Sequence, residues 1–221
     1  MARLGLLLAL LWPTFGWAQA TQDVQIWTSV AGTAALTDEA TGPSAWLDVH
    51  LRRSGANTLA ILRPGMGWRV RRNLSLWVGY AWIPTLLDDG GTRHEHRAWQ
   101  QVIATRSSGR IGLMSRTRVE QRFAGGGGDL GLRVRQFARL GWNWNEEGRY
   151  GLVAWDELFV GLNDTDWGAP RGLDQNRLFA GFFLKSGPRV RGELGYLSLV
   201  VNRDAGDTIG HVLSTTIFVA L

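Results

Sequence analysis

Cysteine is absent from all 221 residues, so neither a disulfide nor a thiolate metal site holds this chain together. Lysine is nearly absent as well: Lys185 is the only one among 24 basic residues. After residue 20 no apolar run approaches the roughly 20 residues of a membrane-spanning helix, which excludes a conventional helical membrane protein. Runs of basic residues are missing too. The net charge of +5 is carried by arginines that alternate with apolar residues, so no nucleic-acid partner is expected.

One apolar run does occur, at the start. Met1-Ala2-Arg3 is a short basic opening, Leu4 to Trp12 is apolar, and Ala18-Gln19-Ala20 is a small-x-small cleavage site. That order is a secretory signal peptide, and Pro13 ends the run before it is long enough to span. A cleavable segment at 1–20 and an exported domain at 21–221 are the expectation.

The mature chain is written with a period of two. In Arg110 to Phe123, Ile111, Leu113, Val119 and Phe123 fall on odd positions with Ser115, Thr117 and Gln121. Arg116, Arg118, Glu120 and Arg122 fall on even ones. Alternate side chains of a strand point to opposite faces, so one face is mainly apolar and the other strongly charged. Leu130 to Trp144 repeats this, with Leu132, Val134, Ala138, Leu140 and Trp142 opposed to Arg133, Arg135 and Arg139.

Strands are predicted near 24–32, 45–53, 58–70, 74–83, 95–107, 110–123, 130–143, 149–161, 175–186, 188–200 and 209–220. They are about twice the usual soluble length and match the roughly 9–11 residues of a tilted bilayer crossing. Arg71-Arg72-Asn73, Ser107-Ser108-Gly109 and Ser186-Gly187-Pro188 carry tight-turn chemistry, and 145–148 is a slightly longer turn. Segments 84–94, 124–129, 162–174 and 201–208 are longer and rich in Gly and Asp. Short periplasmic turns and long external loops mark outer-membrane barrels. Such barrels have even strand numbers; ten strands from residue 45 onward keep the parity and leave 24–32 as an extra strand or a periplasmic arm. The fold class is therefore all-β, a transmembrane antiparallel up-and-down β-barrel of 10–12 strands. Trp27, Trp46, Trp68, Trp82, Trp142 and Trp144 lie near strand ends, as interfacial girdles do. Leu213, Thr215, Ile217, Val219 and Leu221 alternate to the last residue, as a closing strand would.

Several motifs sharpen this. Gln25-Ile26-Trp27-Thr28, Leu62-Arg63-Pro64-Gly65-Met66-Gly67-Trp68 and Leu74 to Trp82 come first. Glu95 to Gln101, Arg116 to Phe123, Asp156-Glu157-Leu158-Phe159, Asp174 to Phe179 and Leu194-Gly195-Tyr196 follow in order. Together they resemble DUF2490, a family of predicted bacterial outer-membrane β-barrel proteins. The resemblance implies a barrel in the outer membrane of a Gram-negative cell and no known activity. Leu221 departs from the aromatic end common in such barrels, with Phe218 three residues earlier.

If the apolar face meets lipid, a charged network lines the lumen: Arg116, Arg118, Glu120, Arg122, Arg133, Arg135, Arg139, Glu157, Arg177, Arg191 and Glu193. An arginine at the bilayer midplane on the outer face would cost about 2–4 kcal/mol, which fixes the direction. Asp156 breaks the pattern by sharing parity with Leu152 and Leu158, so an interfacial position or a bulge is expected there. Shared carboxylates would close the lumen and make the barrel structural or transport-related. Unshared arginines would make a narrow anion-preferring pore. Lipid modification is a third reading, with Ser115 and His96 on neighbouring strands and no supporting motif. His94-Glu95-His96 lacks a third metal ligand on its face and reads as a solvated loop edge. Gly125 to Gly128 lacks the Lys-Ser/Thr of a phosphate loop and reads as a flexible external loop. Pro64, unable to donate to a ladder, predicts a break or bulge. No cofactor, metal or catalytic residue is assigned. The partners expected are membrane lipid and lipopolysaccharide, the barrel-assembly machinery during insertion, and a small anion.

Overall fold

The computed structural model describes residues 21–203 and 206–221; the cleavable segment expected at 1–20 lies outside them. The period-two segments form eleven strands. They are β1 (Thr21–Ala35), β2 (Gly42–Ser54), β3 (Asn57–Arg71), β4 (Leu74–Leu86), β5 (Thr92–Ser108) and β6 (Ile111–Ala124). β7 (Gly131–Asn143), β8 (Tyr150–Gly161), β9 (Gly172–Ser186), β10 (Val190–Val201) and β11 (Thr208–Ala220) follow. Each pairs antiparallel with its chain neighbour, and β1 pairs with β11 to close a barrel. The strands run from 12 residues in β8 to 17 in β5, longer than a tilted bilayer crossing needs, so they continue beyond the lipid.

Closure is where the structure differs from a purely antiparallel barrel. Segment 24–32 is no periplasmic arm. It is the core of β1, paired antiparallel to β2 and parallel to β11. An odd strand number forces this, because eleven alternating strands bring the first and last side by side in the same direction. The start of β1 therefore sits at the end of the barrel carrying loops 87–91, 125–130 and 162–171. The end of β11 sits with the turns at 72–73, 109–110 and 187–189.

The outer wall is apolar. Val24, Ile26, Met66, Leu178 and Phe182 are exposed on it, as lipid-facing residues must be in a wall with no free edge. This is the architecture of a bacterial outer-membrane protein, a class surrounded by lipid and lipopolysaccharide and inserted by the barrel-assembly machinery. Trp68, Trp82, Trp142 and Trp144 join the outer aromatic belts. Trp27 and Trp46 do not. They share strand faces with Ser29 and Asp48 and point into the lumen, since parity along the strand, not nearness to its end, decides the side.

Inside, two apolar clusters flank the charged wall. Trp27, Phe179, Phe183, Leu197 and Val212 pack beside the seam; Ile61, Trp77, Ile83, Trp99 and Ile103 pack on β3–β5. Gly65 and Gly79 face each other across β3 and β4, and a Cβ on either would fall into the Trp99 indole. That hollow lets Trp99 lie flat against the wall with no exposed surface. No bulge forms at Pro64, although Arg63 and Pro64 have no ladder partner on β4. Leu62 pairs with Trp82 and Gly65 with Gly79 in one register, and the irregularity lies between Arg69 and Arg71.

Val78 lies at mid-β4 on the outer wall, 52% exposed, between Met66 and Gln100. Val78→Arg should lower unfolding stability in liposomes by about 2–4 kcal/mol. A stability equal to the parent's would place Val78 outside the lipid.

Candidate functional site

The charged lumen follows from strand geometry. Arg116, Arg118, Glu120 and Arg122 lie two residues apart on β6 and share its inner face; Arg133, Arg135 and Arg139 share one face of β7 with Phe137. Register then brings opposite charges together, with Glu120 facing Arg133 across β6–β7. Arg118 and Arg135 also face each other, a repulsive pair. Glu120 offsets it: Arg133 donates to its Oε2 at 2.6 Å and Arg135 to its Oε1 at 2.6 Å, with Arg97 and Arg118 at 3.8 and 3.9 Å. The second carboxylate, Glu157, accepts from Arg116 at 2.7 Å and from Arg135 at 2.8 Å on Oε1. Forked guanidinium groups shared between carboxylates are the geometry in which such buried pairs are strongest.

Two more carboxylates complete the layer. Glu95 takes both nitrogens of an Arg97 fork at 2.8 Å and Arg122 at 2.6 Å; Asp174 accepts from Arg133 at 2.7 Å. Arg118 has Gln101 as its acceptor, at 2.9 and 2.6 Å, and lies 4.6 Å from the Trp99 ring. Phe159 is ringed by Arg133, Arg135 and Arg177 at 5.0, 4.5 and 4.3 Å, stacked cations on an apolar disc. Glu120 is 1% exposed and Arg118 fully buried, so the centre of the layer is close-packed.

Of the eleven residues expected on the lumen face, all but Arg177 take part in ion pairs. Arg139 and Arg191 share Glu193 nearer the C-terminal end, at 2.7 and 2.9 Å. Arg177 faces Glu157 in register yet forms no ion pair with it, donating to Gln175 at 2.8 Å. Sequence reasoning omitted Glu95, Arg97, Gln101, Asp174 and the Asp48–Arg63 pair at 3.0 Å. Their signal was available: Glu95, Arg97, Trp99 and Gln101 share one parity on β5, and Asp48, His50 and Arg52 share one on β2.

The other candidates separate. Asp156 faces outward as its parity requires and accepts a hydrogen bond from Asn176 at 2.7 Å on the outer wall. His94 and His96 also face outward, against Trp82 and Tyr80, while Glu95 faces in. Both are exposed near the loop end of β5 and pack on outer-wall aromatic rings. Ser115 faces Ala104, eight residues along β5 from His96, or roughly 27 Å at strand rise, so the two do not meet.

The loop end is tied down. Asp166 accepts from the backbone N–H groups of Gly128 at 2.7 Å and Asp129 at 3.2 Å; its own N–H donates to Asp129 at 2.8 Å. Trp167 donates to the Asp129 carbonyl at 2.8 Å and covers Arg122 at 4.9 Å. The glycine run expected to be a flexible loop is thus latched to the β8–β9 loop.

The Gly128 and Asp129 N–H groups hold the Asp166 carboxyl below its ordinary value. A depressed carboxylate stabilises the folded latch fully above its unfolded value and loses that contribution as pH falls through the folded one. Amide exchange in 125–130 and 162–171 should therefore rise on acidification below the usual carboxylate range, and Asp166→Asn should remove the pH dependence. In the lumen, Glu157→Ala leaves Arg116 without its carboxylate. A loss of about 3–5 kcal/mol is expected for a broken buried pair, visible as a lost or lowered heat-modifiable gel shift. An unchanged shift would contradict the burial of Glu157.

Comparison with known proteins gives a family and no activity. The pattern of the family described as "Protein of unknown function (DUF2490)" matches residues 24–210. An uncharacterized protein of Methylorubrum extorquens is 35% identical over 210 residues, covering 91% of this chain and 90% of its own. Among solved structures, LpxR from Salmonella typhimurium is similar with a TM-score of 0.47 and 14% identity, over 81% of this chain and 83% of that one. A likeness that distant says nothing about chemistry.

Proposed function

This chain belongs to the DUF2490 family, whose description assigns no activity, and we propose that it is a closed outer-membrane barrel with a plugged lumen, structural or transport-related. Residues 1–20 are removed on export and 21–221 form the barrel in this reading. The observation that carries it is the continuity of the ion-paired layer. A cavity of about 490 Å³ is lined by Arg116, Arg135 and Glu157, and Glu95, Arg97, Glu120, Arg122, Arg133 and Asp174 are not part of its lining. Each of the charges in that layer has an opposite charge within 4 Å, so water has little to gain by entering.

A second reading has one feature in its favour. Nine basic side chains against three acidic ones line the cavity, a surplus that suits an anion path. Protein reconstituted in planar bilayers tests both. The plugged barrel should give no unitary current steps. Discrete anion-selective steps would replace it with the narrow pore.

A further inference from the structure

The cavity below the plug is a built chamber. Its lining reaches Pro188 and Arg189 of the β9–β10 turn, Val190 at the start of β10 and Phe218 to Ala220 of β11. Its three acids are already engaged: Asp48 by Arg63, Glu157 by Arg116 and Arg135, and Glu193 by Arg139 and Arg191. Besides the exposed Arg189, two guanidinium groups are left over. Among the described residues Arg52 has no carboxylate within ion-pair distance and no hydrogen-bond acceptor, and Arg177 has only Gln175. The Nε of each is buried and unpartnered. Both lie over the same indole, Trp27, at 3.9 and 5.0 Å from its centroid.

Two like charges on one ring, away from bulk water, are costly without a counter-charge. The indole offsets part of that cost and fixes the position of both forks. A forked guanidinium matches the oxygens of a carboxylate or phosphate. The remaining wall is of another kind: Trp46, Phe137, Trp155, Met114 and Leu197 give a large apolar and aromatic surface. Basic Lys185 and Arg189 near the mouth draw anions toward it. A free inorganic anion would use the arginines and leave that apolar wall idle; a neutral lipid would leave the arginines unpaired. The volume falls within the range of about 300–1,000 Å³ typical of small-molecule sites.

We propose that this chamber binds a single-chain anionic amphiphile, its carboxylate or phosphate headgroup held by Arg52 and Arg177 beside Trp27 and its apolar body along Trp46, Phe137 and Trp155. The proposal rests on the plugged reading, because the ion-paired layer is the floor of the chamber. A ligand entering from the C-terminal, turn-bearing side is drawn past the basic mouth and stops at that floor.

Native mass spectrometry of the full barrel released from a non-ionic detergent tests this, with dodecanoate, dodecyl phosphate, dodecanol and inorganic phosphate as probes. One dodecanoate or dodecyl phosphate per barrel is expected, at an affinity at least tenfold above dodecanol and inorganic phosphate. The preferred headgroup separates the carboxylate source from the phosphate source. R52Q and R177Q should each weaken binding about tenfold or more while keeping the heat-modifiable shift, and R52K should weaken it less. Equal binding of dodecanol, or undiminished binding in folded R52Q and R177Q, would overturn the amphiphile site. Inorganic phosphate binding as tightly as dodecyl phosphate would overturn the role of the apolar wall. If the glutamine variants do not fold, the dodecanoate–dodecanol competition on the parent protein decides alone. Current steps in bilayers would overturn the plug and leave the binding result readable; absence of both current and binding would overturn this site and spare the plug.

Discussion

A guanidinium group inside a barrel wall needs a carboxylate, and this lumen holds fewer carboxylates than guanidinium groups. Sharing is the solution the register permits. Glu120 stands between Arg133 and Arg135, and Glu157 between Arg135 and Arg116, so one arginine links two acids and each acid holds two arginines. Breaking any member exposes its neighbours to uncompensated charge, which makes the layer cooperative. The repulsive facing pairs Arg97–Arg122 and Arg118–Arg135 persist only because the acids sit diagonally between them.

Sharing also divides the lumen. Toward the loops, Glu95, Glu120 and Asp174 nearly match their arginines, and Trp167 closes over Arg122. Toward the C-terminal end three acids face nine basic side chains, and the packing opens into a chamber walled by aromatic rings. The outer wall is indifferent to this division. It needs only apolar side chains and a sheet with no free edge.

Much of this was legible in the sequence. The period of two located every strand to within about three residues and separated lipid-facing Leu113 and Leu140 from lumen-facing Arg116 and Arg139. Other features were not, for physical reasons. Trp27 and Trp46 resemble belt residues because an indole suits an interface and a lumen equally well; only the parity of their strands tells them apart. Pro64 forgoes one ladder hydrogen bond and keeps the register, which composition cannot distinguish from a bulge. The partner of β1 was hidden because alternation is the same for parallel and antiparallel neighbours. The idle arginines were hidden too: whether Arg177 reaches Glu157 or Gln175 depends on side-chain paths that strand parity does not determine.

The parallel seam has a consequence for how the barrel is made. Its pairs join residues near the start of the described chain to residues near its end; the hydroxyls of Ser29 and Thr216 meet at 2.8 Å across 187 positions. Every other strand pair joins chain neighbours and can form as the chain emerges, but this one waits for the last strand. Until then β1 offers a bare row of amide groups, the kind of edge that pairs with whatever strand it meets first. Assembly is therefore a matter of timing, in which β1 must be shielded, as a hairpin with β2, through the insertion of the nine strands that follow, until β11 arrives alongside and seals it.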